Sequence, residues 1–229
     1  YLNKVLGFTG VQTGTILSMS AFSAVAAPLV GSFIADRVMA AERVLAVSQI
    51  GGAGVMWLLT LQDQYLPFLI LYIVFQMLFG PGVALTNAIV FHHAPDARRQ
   101  FGNVRLWGTA GWISVAWFFS FLWLDRPGGR IGDALRFTAL VSGLLGIYAF
   151  TLAPKPQAGP RRRELIPRAA LRILLKPQVL VVALVGLVVQ SVDKYYYFGT
   201  APFLDAIGVP ESSIMPAMSL GQATEVLAM

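Results

Sequence analysis

Long apolar stretches separated by short polar ones run along the whole sequence. An α-helix needs roughly 20 mainly apolar residues to cross a bilayer core of about 30 Å. Near-continuous hydrophobicity over such lengths excludes strands, and a helix pairs its own backbone polar groups in lipid. The pattern therefore predicts an all-α, polytopic membrane protein with seven spans: 14–34, 43–62, 66–91, 105–124, 135–153, 177–198 and 212–229.

Composition agrees with a membrane protein. Of the 229 residues, 56% are hydrophobic and 12% are charged, whereas soluble domains carry about 25% charged residues. There is no cysteine, which excludes disulfides, thiolate metal sites and cysteine nucleophiles. The first residue is Tyr1 and the last apolar run stops without a polar end. We expect the chain to be an internal fragment of a longer protein.

The positive charge is concentrated in alternate loops, which predicts the orientation. Lysine and arginine collect in cytoplasmic loops of membrane proteins. Segments 35–42, 92–104 and 154–176 should therefore face the cytoplasm. The net charge of +6 is accounted for by these loops, and we expect no nucleic-acid partner. Of 17 basic residues, twelve lie in or beside these segments: Arg37, Arg43, Arg98, Arg99, Arg105, Lys155, Arg161, Arg162, Arg163, Arg168, Arg172 and Lys176.

The basic segment 154–176 also divides the chain. Its prolines end the fifth span, and its second half could form an amphipathic helix on the membrane surface. A long basic connection is either a large loop or the link between two helical bundles. We predict an amino-terminal bundle over 1–153, a cytoplasmic linker over 154–176, and the start of a second bundle over 177–229.

The fourth span opens with an arginine. A cation inside a bilayer is costly, so Arg105 should face a wet cavity or a partner, unless it extends to the lipid headgroups. At helical spacing, Arg105, Thr109, Trp112 and Ala116 share one face. This face offers a cation, a hydroxyl and an indole, which suits a polar ligand with a planar group.

Two further spans carry polar groups. Gln190 and Asp193 share one face of the sixth span, whereas Asp193 and its neighbour Lys194 should point apart and pair poorly. Gln222 and Glu225 lie three residues apart in the last span. A carboxyl in mid-membrane without a cation should bind a proton readily. A permanently protonated glutamate that only bonds to another helix is the alternative for Glu225.

Other patterns indicate less. Asp36 and Arg37, with Glu42 and Arg43 beyond them, could form a salt-bridge latch at the first cytoplasmic turn, or be ordinary loop charges. His92 and His93 are adjacent, so they cannot face one metal on a helix, and we expect no metal site. No catalytic cluster is recognisable, so we do not expect an enzyme.

Several of these motifs resemble the nucleoside:proton symporter family of the major facilitator superfamily. Residues 1–10 look like the end of that family's first helix, and Ala35-Asp36-Arg37 falls at the superfamily's loop between helices two and three. The run Arg105-Leu-Trp-Gly-Thr-Ala-Gly-Trp112 is similar to the start of its helix five. Gln190-x-x-Asp193 and Gln222-x-x-Glu225 match polar pairs on helices seven and eight.

The resemblance implies that the seven spans are helices two to eight of a carrier with twelve. It implies substrate contacts at seven positions and proton coupling at Glu225 or Asp193, with no cofactor beyond the proton. Ser32 and Met39 replace glycines of the loop motif, and Asp193 stands where a family member has asparagine. The seven positions are Arg105, Thr109, Trp112, Gln190, Asp193, Gln222 and Glu225.

These expectations describe proton-coupled uptake of nucleosides across the bacterial cytoplasmic (inner) membrane by alternating access. The expected partners are the small-molecule substrate and the lipid bilayer, and the oligomeric state is left open. A carrier of sugars or other small polar solutes is the alternative, because Thr109 and Gln190 suit any hydroxyl-rich ligand. A seven-helix receptor or sensor is the more distant one.

Overall fold

The computed structural model describes residues 1–93, 97–153 and 176–228, with a few side chains inside these ranges excepted. These residues form eight α-helices and one π-helical segment. The α-helices are α1 (Gly10–Arg37), α2 (Ala41–Leu59), α3 (Tyr65–Phe79), α4 (Gly82–His93), α5 (Ala97–Trp117), α6 (Asp133–Thr151), α7 (Pro177–Ala206) and α8 (Glu211–Ala228), and the π-segment is Phe118–Leu124.

Each predicted span is mainly helical where the structure describes it, and the non-helical positions are 60–62, 80–81 and 152–153. The all-α prediction is confirmed. Within the described residues, four stretches are long and apolar enough to cross a membrane: Tyr65–Phe91, Gly102–Leu124, Asp133–Thr151 and Pro177–Ala206. They correspond to predicted spans three to six. The helices at 14–34, 43–62 and 212–229 stay predictions as membrane spans.

The chain divides into two compact units. The first comprises 1–101 and 130–161, and the second comprises 102–129 and 162–229. Helix α5 therefore groups with α7 and α8 rather than with the helices that precede it. The predicted bundle boundaries stay a prediction, since 154–175 lies outside the described residues, and so does the amphipathic helix expected there.

In the first unit, α2 is the central helix. It packs against α3, α4 and α6, and α1 packs against α3. Two apolar clusters fill the contacts, one around Phe68 and Phe75 and one around Leu45 and Ala149. The closest approach of α2 and α6 is at Gly146, where an added Cβ would lie 2.6 Å from Ile50 Cγ1. Glycine is therefore required there by packing.

The third predicted span is broken at Gly80-Pro81, between α3 and α4. Proline has no N–H to continue the helix, and the glycines let another backbone come close. A Cβ on Gly80 would lie 2.6 Å from Ala27 Cβ of α1. The Ser23 hydroxyl of α1 donates to the Gln76 carbonyl at 3.1 Å. The break is thus a site of close packing, as the Gly-Pro-Gly pattern predicts.

In the second unit, α8 is the central element. It packs against both the π-segment and α7. Few of the described residues of α5, the π-segment and α7 are buried. Large apolar side chains of α7, including Val182 and Leu187, are exposed. Such a surface is expected of a helix that contacts lipid.

Candidate functional site

The described structure places all seven predicted substrate residues in the second unit. Arg105, Thr109 and Trp112 are on α5, Gln190 and Asp193 are on α7, and Gln222 and Glu225 are on α8. Helix α8 packs against α7 and against the π-segment that directly follows α5. Three helices therefore contribute to one packing unit, although α5 is distant in sequence from the other two.

Burial increases along the predicted face of α5, from Arg105 to Ala116. Arg105 is exposed, Thr109 and Trp112 are half-buried, and Ala116 is buried. The neighbouring Gly108 and Gly111 are exposed, and a Cβ added at either would meet nothing within 4 Å. Among the described residues, therefore, no neighbouring helix packs closely against these glycines.

On α7, Asp193 and Lys194 form an ion pair, with 3.7 Å between Lys194 Nζ and Asp193 Oδ2. The expectation that these neighbours pair poorly is wrong. The two side chains do leave the helix in different directions, but the four-carbon lysine side chain is long enough to fold back toward the carboxylate. Both side chains are largely exposed, at 63% for Lys194 and 45% for Asp193. An exposed pair of this kind stabilises the fold by at most about 1 kcal/mol.

Lys194 also lies near an aromatic cluster. Its Nζ is 6.0 Å from the centre of the Tyr197 ring. The Tyr196 and Tyr197 rings pack edge to face, with 5.5 Å between their centres. The Tyr196 hydroxyl extends to α8, where a Cβ on Gly221 would be 4.0 Å away. Tyr196 thus brings α7 to the residue directly before Gln222. Sequence reasoning missed it, although the run of three tyrosines at 195–197 is a visible signal.

The Gln190, Gln222 and Glu225 side chains lie outside the described part of the structure, as do those of Asp36 and Arg37. Their helices are described, so the predicted spacings hold along the backbone. The substrate roles, the proton-coupling roles and the latch therefore remain predictions. Near the predicted latch, Glu42 is buried in the first turn of α2, and Arg43 donates to the Phe150 carbonyl of α6 at 3.2 Å.

Metal ligation finds no support in the described residues, where no group of three or more His, Asp or Glu side chains converges. The chemistry that the unit offers is instead that of a polar solute site. Hydroxyl and amide groups can exchange hydrogen bonds with a neutral ligand, and the Trp112 ring can stack on a planar one.

Comparison with known proteins decides the family. The sequence model of the nucleoside H+ symporters matches residues 1–229. The chain belongs to this family. The structure also superposes on the crystal structure of the nucleoside transporter NupG (D323A mutant) with a TM-score of 0.76, covering 99% of this chain and 60% of that one. Sequence identity in that superposition is 21%, so it establishes the shared fold.

Two curated relatives of Escherichia coli K12 are similar in sequence. YegT, a candidate nucleoside transporter, is 29% identical in an alignment of 231 positions that covers 97% of this chain and 53% of YegT. Xanthosine permease is 29% identical in an alignment of 163 positions that covers 69% of this chain and 38% of the permease. The chain thus spans about half the length, or less, of the curated relatives it matches. The resemblance drawn from the motifs is confirmed, and the fold is that of an integral membrane protein.

Proposed function

We propose that this chain is part of a proton-coupled nucleoside transporter of a bacterial cytoplasmic membrane. The observation that carries the proposal is the family match, which extends over residues 1–229. The grouping of α5, α7 and α8 in one unit supports it, because a substrate cavity needs polar groups from several helices. A transporter rather than an enzyme also accords with the permease and transporter relatives.

In this proposal the ligand's two halves bind different groups. The ribose hydroxyls exchange hydrogen bonds with Thr109, Gln190 and Gln222, and the planar base stacks on Trp112. Facilitator-type carriers hold substrates near the membrane midplane between two groups of helices that rock in alternation. The open space beside Gly108 and Gly111 would admit the base.

The coupling proton would be carried by Glu225 or by Asp193. Glu225 is the stronger candidate, because it lies well inside an apolar helix, where desolvation favours the protonated carboxyl. Asp193, by contrast, forms an exposed ion pair with Lys194. Binding of nucleoside and proton from outside, followed by release of both inside, would drive uptake.

The proposal is tested by uptake of labelled uridine in cells that express the whole transporter and lack other nucleoside carriers. Uptake by the unaltered protein should fall to equilibration when a protonophore collapses the proton gradient. Unlabelled nucleosides should compete, and sugars should not. If sugars competed and nucleosides did not, the substrate would be a sugar, the alternative class, and the nucleoside proposal would be wrong.

Glu225→Gln tests the proton site. The variant should still exchange nucleoside across the membrane but should lose accumulation against a gradient, by a factor on the order of ten relative to the unaltered protein. Glu211→Gln is the matched control, since Glu211 is on the same helix but exposed in its first turn, and it should accumulate normally. Accumulation by Glu225→Gln at the normal level would contradict the assignment, and the same assay on Asp193→Asn would then identify the other acid.

A further inference from the structure

The contact between α5 and α8 contains a partly buried hydrogen bond that no predicted role explains. The Trp117 indole N–H donates to the Ser219 hydroxyl at 2.9 Å. The Ser219 hydroxyl in turn donates to the Pro216 carbonyl at 2.6 Å. Ser219 is only 1% exposed. Its hydroxyl therefore accepts one bond and donates another, and the indole ties the end of α5 to the middle of α8.

The backbone that follows Trp117 has an unusual winding. Residues Phe118–Leu124 form a seven-residue π-helix, and this segment packs against α8. π-helical turns are rare and often occur at functional sites. They contain more residues per turn than an α-helix, so a change between the two windings would rotate and shift whatever packs on the segment. The segment is thus a candidate for an element with two arrangements.

Ser120, inside this π-segment, supports that view. It is fully buried, at 0% exposed, and among the described residues its hydroxyl has no hydrogen-bond partner. Serine on a helix commonly donates to the carbonyl one turn back, and burying a hydroxyl without a partner is unfavourable. The hydroxyl would gain a partner if the segment rewound or if α8 moved along it.

The bond also fixes the depth in the membrane of some predicted substrate residues relative to one another. In the predicted orientation, α5 runs outward and α8 runs inward. The part of α5 before Trp117 and the part of α8 after Ser219 therefore both lie on the cytoplasmic side of the bond. With a rise of 1.5 Å per residue, Gln222 and Glu225 lie about 4.5 and 9 Å below Ser219, and Trp112 lies about 7.5 Å below Trp117. The bond therefore keeps Trp112 at a level between Gln222 and Glu225.

We propose that Trp117, Ser120 and Ser219 form a conformational lock between α5 and α8. The lock is closed in this structure and opens in another state of the transport cycle. The three are positioning residues, which act on the substrate through the helices that carry Trp112, Gln222 and Glu225. The transport role of the lock rests on the proposed function, but its opening can be tested without any substrate.

Thiol labelling reports the opening directly, and these 229 residues contain no cysteine. In a whole transporter from which any cysteine outside them has been removed, Ser120→Cys places a single thiol at the lock without removing a hydrogen bond. We expect slow labelling by a membrane-permeable maleimide, and several-fold faster labelling at saturating uridine. Ser142→Cys is the control probe, since Ser142 is also buried, at 5% exposed, but lies on α6 in the first unit. Its labelling rate should not respond to uridine.

Breaking the lock should imitate the substrate. In the Ser120→Cys background, Trp117→Phe keeps a ring but loses the N–H, and Ser219→Ala loses the acceptor. Each should speed labelling about fivefold without uridine, the effect expected from one hydrogen bond. The double variant should add little to either single one, because both remove the same bond.

The possible outcomes separate the two proposals. If Trp117→Phe and Ser219→Ala leave the labelling of Ser120→Cys unchanged while the proteins remain folded and monodisperse, the lock is wrong. If both accelerate labelling but uridine does not, the lock holds and the nucleoside assignment fails. If the double variant doubles the effect of the single ones, the two residues act separately, and a single lock is excluded.

Discussion

The two packing units differ in what fills their buried positions. In the first unit, buried apolar side chains such as Leu59 and Phe68 form continuous clusters, and glycines let helices touch. In the described part of the second unit, no side chain of α7 is buried, and α8 is held at Ile214, Met218 and Ser219. The first unit thus has the packing of a rigid body.

All seven predicted substrate residues lie in the sparsely packed unit, together with the π-segment and the ion pair of Asp193 and Lys194. The chain covers 60% of the NupG chain on which it superposes, so the contrast describes the packing that these residues make among themselves. Within them, regions with few buried apolar contacts open at a lower free energy than densely packed ones.

The largest loss of stability is expected from a substitution in the densely packed first unit, at Gly146, where α2 and α6 meet. Gly146→Ala would place a methyl group 2.6 Å from Ile50 Cγ1 and 3.0 Å from the Ala46 carbonyl oxygen. Overpacking of this kind costs about 1–3 kcal/mol. We expect a lower melting temperature in detergent, with a loss of several degrees.

Gly143→Ala is the matched control on the same helix. Its new methyl group would meet Ala53 Cβ at 3.7 Å, an ordinary contact. Alanine is also the better helix former, by roughly 0.5–1 kcal/mol. Gly143→Ala should therefore melt at the same temperature as the unaltered protein or slightly above it. Equal losses for both variants would mean that the α2–α6 contact is not as rigid as its spacing indicates.

The sequence predicted the helices well and their interruptions less well. Hydrophobic length indicated the spans, but it predicted one span over 66–91 where the structure has α3 and α4 with a break at Gly80-Pro81. The π-segment could not be predicted, because Phe118–Leu124 is as apolar as an α-helical span and its winding depends on what packs against it. Span 105–124 was accordingly expected to be one regular helix.

The candidate site shows the same limit. The polar residues of the last span form a series at three-residue spacing, and Ser219 extends it backwards from Gln222. A serine in such a series gives no indication by itself of its partner on another helix, so the bond from Trp117 was not foreseen. Pairing between helices depends on tertiary packing, and a single sequence without its relatives gives no direct signal of that packing.

A smaller effect is expected at Arg43, which joins the start of α2 to the end of α6. Its guanidinium donates to the Phe150 carbonyl at 3.2 Å and lies 5.3 Å from the Phe150 ring centre. Arg43→Ala should lower the free energy of unfolding by about 1 kcal/mol. Phe150→Leu keeps the carbonyl and removes the ring, so it should cost only part of that. If Phe150→Leu were as unstable as Arg43→Ala, the ring contact rather than the hydrogen bond would join the two helices.

The smallest effect on stability is expected at Lys194, on the sparsely packed side of the contrast. Because the ion pair with Asp193 is exposed, Lys194→Ala should change the free energy of unfolding by less than about 0.5 kcal/mol.

Uptake measurements distinguish a surface pair from a working one. If Asp193 takes part in coupling, Asp193→Asn should lose accumulation of nucleoside against a gradient, and Lys194→Ala should change it, because this variant removes the ion-pair partner of Asp193. If Glu225 alone carries the proton, both variants should accumulate nucleoside as the unaltered protein does. A large loss of stability in Lys194→Ala would contradict the exposed pair itself, and with it the view that α7 is held by few contacts.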